Sequence, residues 1–427
     1  MTAAVDVLLF GPTGVTGREV ARHLARRAPA LGLTWGVAGR TRAKVDQAVA
    51  GLASEPDLVL VADSGDAASV DAMAASAAVV ANLVGPYARH GEVVYEACAR
   101  HGTHQLDLTG ELDWVATMIG RHGAAAAASG AKLVPTAGFE ALPFDLGSLL
   151  AARTAAERWG EPVASVDVAV TTTSEASIRR ASDAVSGGTF VSGIEALRRG
   201  PGEAFTDPYV LDPHRSDPGA AEVGGRPSGR YELRPRRHSG TGAWLAPMVP
   251  SPFINPPVAH RSAALLRAEG DTTFSPAFRY LEGMTTSGTV PGALAPLAAT
   301  GLATFQAGFG LVARAPGFLR SLVADAALRF GPQAGDGPAP EDLDSWSYRL
   351  DIRATTVGGR TADVTVDALG HPGYKSTATM VGEAALILAD ASAPLPSAAG
   401  FLTPATALGV DVVDRFAEAG TRFTVLP

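Results

Sequence analysis

Three glycines spaced three residues apart, Gly11, Gly14 and Gly17, stand between the apolar run Val5–Phe10 and a segment whose apolar residues recur at helical spacing. A short β-branched and apolar run ended by a glycine suits a strand buried on both faces of a parallel sheet. Beyond it Val20, Ala21, Leu24 and Ala28 share one helical face, with Arg18, Arg22, Arg26 and Arg27 available for the wet side. A strand that enters a helix through such a turn presents backbone amides and the positive end of the helix dipole, which together can hold a pyrophosphate. Gly11 permits the tight turn, Gly14 the close approach of phosphate, and Gly17 the packing of helix on strand, with Thr13, Val15 and Thr16 completing the cradle. The spacing is GxxGxxG rather than GxGxxG, so the strand-turn-helix setting carries the reading more than the glycines alone.

The alternation continues. Strand-like runs recur near residues 33–38, 58–62, 78–84, 104–108 and 132–136, separated by helical stretches near 42–52, 67–75 and 92–101. This order predicts an α/β fold, a Rossmann doubly wound parallel sheet with right-handed crossovers. After about residue 145 the texture changes. A strand is expected near 163–173, then a Gly, Pro and Arg-rich passage over 200–257, then two antiparallel strands at 345–354 and 361–369 joined by a turn containing Gly358 and Gly359. Helices are expected over 377–389 and 410–419. The domains read as 1–145 for the dinucleotide, 146–372 as an inserted mixed α/β domain with an apolar helical segment over 283–330, and 373–427 returning to the first.

In a site for NAD, an acidic side chain about twenty residues further on takes the ribose 2′-hydroxyl. Here the end of the second strand reads Ala38-Gly39-Arg40, and Arg40 with Lys44, and Arg42 between them, would neutralise a 2′-phosphate. NADPH is therefore the expected cofactor. Asp63, after the third strand, can accept from the adenine amino group or cap the next helix. Asn82, Val84, Gly85 and Pro86 end the fourth strand, beside the expected nicotinamide ribose. Tyr87 and His90 follow at the C-terminal edge of the sheet, where cofactor and substrate should meet. Asp107, Glu111, Glu140 and Asp145 lie after the next two strands, as functional carboxylates or as strand-end and cap groups. Tyr87, His90 and Glu140 are the catalytic candidates.

A formal charge of −8 and a pI near 5.6 argue against a polyanion-binding surface, so nucleic acid is not an expected partner. The single cysteine, Cys98, permits no intramolecular disulfide and fits a buried helix face in a cytoplasmic protein. The N-terminal residues lack the basic flank and long apolar stretch of a signal peptide. No HExxH or GxSxG motif occurs, and the histidines form no ligand spacing, so a catalytic metal is not expected. Residues 283–313 carry no charge. Pro291 and Pro296 within them disfavour a membrane span and favour a buried or lid-forming helical hairpin, with an acyl-chain pocket or peripheral membrane contact as the other reading. The stretch from Arg234 to His238 could grip a phosphopantetheine or carboxylate, or be a solvated loop.

Seven segments, GPTGVTG at 11–17, VAGR at 37–40, NLVGPYARHG at 82–91, LDLTGE at 106–111, PTAGFEALPFDLG at 135–147, SGGT at 186–189 and GYKSTATMVGEAALILA at 373–389, carry a resemblance along nearly the whole chain. It resembles the saccharopine dehydrogenase-like oxidoreductases, and within them the bacterial trans-acting enoyl reductases of polyketide and lipid assembly. Glu140, Ala141 and Phe144 depart from the family's usual pattern. The resemblance implies NADPH-dependent reduction of an α,β-unsaturated thioester, with a small-molecule or carrier-protein-bound acyl substrate. Such chemistry needs hydride at the β-carbon, donors for the enolate oxygen and an acid for the α-carbon. A homodimer through the second domain is expected. Two alternatives stand beside it. A saccharopine-like dehydrogenase acting on a C–N bond would need a carboxylate-binding basic pair, for which Arg179, Arg180 and Arg261 are the candidates. A non-catalytic cofactor-binding or membrane-associated subunit would account for the uncharged region.

Overall fold

The apolar run at the start of the chain is the central strand of a seven-stranded sheet in which every pairing is parallel. The computed structural model describes residues 3–175, 187–200, 202–214, 231–248, 252–286, 292–331, 339 and 342–427. It divides into two units, Met1–Leu142 with Gly370–Thr421, and Pro143–Leu369 with Arg422–Pro427. The final six residues thus group with the second unit, where the reading from sequence carries them to the first.

The first unit contains β1 (Val5–Phe10), α1 (Val15–Ala30), β2 (Trp35–Gly39), α2 (Arg42–Val49), β3 (Leu58–Val61), α3 (Ala67–Ala75) and β4 (Ala77–Asn82). The short α4 (Tyr87–His90), α5 (Glu92–His101), β5 (His104–Asp107), α6 (Leu112–Ser129) and β6 (Lys132–Val134) follow. The second unit carries α7 (Leu142–Trp159), β7 (Val163–Ser174), α8 (Gly187–Arg199), β8 (Arg236–Arg237), β9 (Trp244–Ala246) and α9 (Asn255–Ala268). It continues through β10 (Phe274–Thr285), α10 (Ala295–Ala313), α11 (Gly317–Phe330), β11 (Trp346–Thr356) and β12 (Thr361–Leu369). The chain ends with α12 (Thr377–Ala389), β13 (Gly400–Phe401), α13 (Pro404–Leu408) and β14 (Thr421–Val425). Over 410–419, where a helix is expected, a 3₁₀ segment Val413–Ala419 forms instead.

The parallel sheet runs β13-β6-β5-β4-β1-β2-β3. Strand order reverses between β1 and β4, which opens a crevice at their C-terminal ends, the place where such sheets bind ligands. Leu83 N–H donates to the Phe10 carbonyl at 2.9 Å and Gly11 N–H to the Ala38 carbonyl at 3.0 Å, so the strand ends remain paired up to that crevice. Gly17, Val20, Ala21, Leu24 and Ala28 of α1 are buried, as the helical period predicts. Arg27 departs from its expected wet position and is only 20% exposed.

Helix α12 explains Arg27. It is buried from Thr377 to Leu388, and Glu383 at its centre has no exposure. The Glu383 carboxylate accepts from His23 Nε2 at 3.0 Å and from Arg27 Nε and Nη2 at 3.2 and 3.3 Å. Gly382 lets the helices approach, since a Cβ there would lie 2.7 Å from His23 Cδ2. Burial by itself raises the Glu383 carboxyl, but the hydrogen bonds from His23 and Arg27 outweigh it and hold the group below its usual range.

The second unit is built on a mixed sheet of order β14-β12-β11-β7-β10-β9-β8. β7 pairs parallel with β10 and antiparallel with β11, and β11–β12 is the expected antiparallel hairpin. Helix α7 lies close on this sheet because position 147 has no side chain: a Cβ there would meet Ile352 Cδ1 at 2.5 Å. Asp145 of α7 accepts from the Ser262 hydroxyl of α9 at 2.6 Å, both groups buried. Within the uncharged region lies α10, which is followed by the charged α11, and of the readings offered from sequence the buried hairpin does not hold. Leu297, Phe305, Leu311 and Phe318 are each at least 70% exposed.

Removing the Glu383 carboxylate should leave His23 and Arg27 buried against an uncompensated site. We expect Glu383→Ala to lose about 3–5 kcal/mol in urea unfolding at neutral pH. The native carboxyl titrates below the ordinary 4.5, so its stabilisation is complete above that pH and drains away as pH falls through the native value. The gap between wild type and Glu383→Gln should therefore narrow in acid, and a gap that stays constant would contradict the assignment.

Candidate active site

The β1–α1 turn is as tight as a turn without side chains permits. A Cβ on Gly17 would lie 2.2 Å from the Gly11 carbonyl oxygen. Gly11 has φ +96°, and a Cβ there would meet Val84 Cγ2 at 3.0 Å, so the turn presses directly on the end of β4. Gly14 is different. A Cβ there meets no atom within 4 Å, Thr13 and Gly14 are exposed, and Val15 and Thr16 are partly so. No side chain caps α1. Its first-turn amides have no acceptor within the helix, and with the helix dipole they suit an anion. The open space at Gly14 is a cradle that a pyrophosphate fits.

Arg40 follows β2, is exposed, and has no ion pair among the described residues. Arg42, by contrast, is bound to Asp46 at 2.8 Å, while Lys44 is exposed. Arg40 and Lys44 are thus the cations left to meet a 2′-phosphate. Asp63 is not the cap of α3: it accepts from Gly65 N–H at 2.9 Å, and Asp66 caps the helix through Ala68 N–H at 3.1 Å.

The ends of β4, β5 and β6 form one network. Asn82 is fully buried, accepts from Val84 N–H at 3.0 Å through Oδ1, and has no acceptor for Nδ2 among the described residues. The Gly85–Pro86 peptide is cis. Tyr87 Oη donates to the Asn82 carbonyl at 3.2 Å and accepts from Leu108 N–H at 3.3 Å. Burial, then the charge of Asp107, push this phenol well above its usual range. Tyr87 therefore links the end of β4 to the end of β5. Glu111 closes the start of α4 by accepting from Tyr87 N–H at 3.0 Å. His90 Nδ1 lies 3.1 Å from Ser64 Oγ, which ties α4 to the loop that carries Asp63.

Asp107 is fully buried and accepts from Tyr95 Oη at 2.6 Å, Gln105 Nε2 at 3.0 Å and Thr109 N–H at 2.9 Å. Burial still prevails and raises its carboxyl. Sequence gives no sign of this Tyr95–Asp107 pair, since the two residues lie on different elements. Beyond β6, Thr136 (φ +58°) and Ala141 (φ +76°) occupy the left-handed region that side chains avoid. The strain is held by neighbours. Thr136 Oγ1 donates to the Thr109 carbonyl at 2.6 Å and Phe139 N–H to Thr377 Oγ1 at 2.9 Å. Glu140 sits between the two strained positions, and desolvation pushes its carboxyl up to about 7. A carboxylic acid of that strength keeps its proton near neutrality and can give it up there.

The described basic candidates of the second unit are committed elsewhere. Arg261 is buried and donates to the Leu211 carbonyl at 2.7 Å, and Arg179 and Arg180 lie outside the described residues. Arg236 pairs with Asp167 at 2.7 Å, and Arg237 lies over the Trp244 ring at 5.0 Å. Tyr209, Tyr231, Met248, His260, Tyr280 and Glu282 line a small cavity of about 50 Å³. Among the described residues, no group of His, Cys, Asp or Glu is placed to hold a metal ion.

A parallel sheet with a glycine turn at its switch point, and an uncapped helix behind that turn, defines a protein of the dinucleotide-binding fold. Residues 7–134 match the saccharopine dehydrogenase NADP-binding domain. A Mycobacterium tuberculosis protein provisionally named a trans-acting enoyl reductase is 33% identical over 425 residues, 97% of this chain and 96% of that protein. A Mycobacterium ulcerans trans-acting enoyl reductase is 32% identical over 426 residues, with the same shares covered. Saccharopine dehydrogenase (L-Glu forming) from Saccharomyces cerevisiae shares the fold, with a TM-score of 0.54 at 13% identity over 99% of this chain and all of that one. The chain belongs to the saccharopine dehydrogenase-like oxidoreductase family and is an NADPH-dependent oxidoreductase.

Two substitutions separate cofactor contact from folding. Gly14→Ala should leave the unfolding midpoint unchanged, because its Cβ meets nothing in the protein, yet weaken NADPH binding at least tenfold in a fluorescence titration. Unchanged NADPH affinity would remove Gly14 from the phosphate site. Arg40→Ala should weaken NADPH about tenfold or more while leaving NADH within about twofold, the loss of one charge-assisted contact being about 1.5–3 kcal/mol.

Proposed function

We propose that the protein is a trans-acting enoyl reductase that reduces an α,β-unsaturated polyketide or fatty-acyl thioester with NADPH. The observation that carries this reading is likeness along 97% of the chain to proteins named trans-acting enoyl reductases. The amides of Thr13, Gly14, Val15, Thr16 and Gly17 would hold the pyrophosphate, with Gly11 shaping the turn. Arg40 and Lys44 would meet the 2′-phosphate, Asp63 the adenine amino group, and Asn82, Val84, Gly85 and Pro86 the nicotinamide ribose.

When bound, NADPH supplies the hydride that reaches the substrate β-carbon. Glu140 gives its proton to the α-carbon, is left as a carboxylate, and recovers a proton from solvent before the next turnover. Its support is a pKa of about 7, reached by burial between two strained residues. His90 orients the substrate carbonyl. The acyl group is presented as a small-molecule thioester or on a carrier protein, in the cytoplasm.

Purified protein should oxidise NADPH with enoyl thioesters and not with keto acids plus amino acids, and the reverse preference would move the assignment to C–N chemistry. Glu140→Gln should lower kcat about 10²-fold or more, the usual worth of a positioned acid, with KM within a few-fold. Because Glu140 must be protonated to act, wild-type kcat should fall as pH rises through about 7. That limb should vanish in the variant, and a variant with full kcat and the same pH profile would exclude Glu140.

A further inference from the structure

We propose that the α10–α11 hairpin docks on the headgroup surface of an anionic lipid bilayer. Eight of the thirteen exposed large apolar side chains among the described residues fall between 294 and 323, so they are concentrated on this one pair of helices and the turns that flank them. Leu297, Phe305, Leu311, Phe318 and Leu322 stand 65–73% exposed. Such a cluster exceeds what a monomeric surface ordinarily carries and marks a contact site.

The helices are apolar on faces that their own unit does not need. Ala324, Ala327 and Leu328 of α11 pack with Ile194 and Leu197 of α8, while Phe318 and Leu322 are left to solvent. The segment Gly292–Ala313 has a mean hydropathy of 1.2 and is 12% buried across its most apolar window. A helix that is apolar all round is ordinarily covered by protein or lipid. Its middle is nevertheless tied down, because Gln306 donates to the Met248 carbonyl beside β9. That tether favours a helix lying on the membrane surface over one crossing it.

Charge selects the occupant. From Glu282 to Asp325 the chain has no acidic residue between those two, and its only charges there are Arg314 and Arg320. The whole chain carries −8. Arg314 is exposed in the turn between the helices, within three and four residues of the exposed Leu311 and Phe318. A cation set among exposed apolar side chains suits a surface with acyl chains beneath anionic headgroups, the exposed Arg314 adding about 1 kcal/mol of attraction while Arg320 is engaged by the Ala315 and Arg199 carbonyls. A second copy of the chain across a two-fold axis would instead bring like charges to the same patch.

The test is cosedimentation of the full-length protein with vesicles of phosphatidylcholine alone or with about 30% phosphatidylglycerol. Wild type should bind the anionic vesicles at least tenfold more tightly than the neutral ones. Leu311→Asp with Phe318→Asp should reduce that binding tenfold or more, and Arg314→Glu should remove the preference for anionic lipid, all with unchanged NADPH affinity as the control for folding. No binding to anionic vesicles, equal binding by the double variant, or a dimer that dissociates in the double variant without vesicle binding would each overturn the proposal. Because the readout is partition, failure of the enoyl reductase assignment would leave it untouched.

Discussion

Helix α1 can occupy its place only because two positions lack a side chain. Without a Cβ at Gly17, it crosses the end of β1 at a distance that sets the phosphate turn. Without a Cβ at Gly382, α12 comes close enough for Glu383 to reach His23 and Arg27. The same helix therefore supports the turn at the start of the unit and receives the segment that closes it. A buried carboxylate also fixes register, since sliding α12 would take Glu383 from its donors at a cost of several kcal/mol, by the order-of-magnitude penalty for an unpaired buried charge. Apolar packing alone tolerates such slides better.

Two desolvated glutamates, Glu383 fully buried and Glu140 partly so, show how environment divides roles. Glu383 meets three donors, stays ionised and stabilises the fold. Glu140 is desolvated to a pKa of about 7, in a loop held by strained backbone at Thr136 and Ala141. Desolvation disfavours the charged form in both, and only donors reverse it. Asp107 lies between these limits, with good donors but a raised carboxyl, and its bonds to Tyr95, Thr109 and Gln105 hold the strand ends on which the loop rests.

The second unit uses its polar groups differently. Arg236, Arg261 and Asp145 look reactive along the sequence, yet each is engaged in holding strands and helices together. Its apolar groups follow the opposite course: α10 and α11 leave large side chains in solvent while a small cluster suffices to pack α11 on α8.

The parallel sheet was legible because its signals are local: β-branched runs, helical period and glycines at a strand-helix turn all act within a few residues. β1 falls on its expected residues, and Arg40 could be marked because it follows β2 directly. What could not be read depends on residues far apart. Arg27 looks solvated until α12 supplies Glu383, 356 positions later. That the Tyr87 hydroxyl joins the Asn82 carbonyl to Leu108 N–H is equally out of reach of the sequence. The exposure of α10 is likewise invisible, because apolar composition is the same for a buried helix and a bare one. By itself, then, the sequence determined the dinucleotide fold, the glycine turn between β1 and α1 and the charge beside it, which rest on local conformation. Tertiary structure alone decided which polar groups are spent on the fold and which are left for chemistry, because donors, acceptors and desolvation come from elements the chain brings together only on folding.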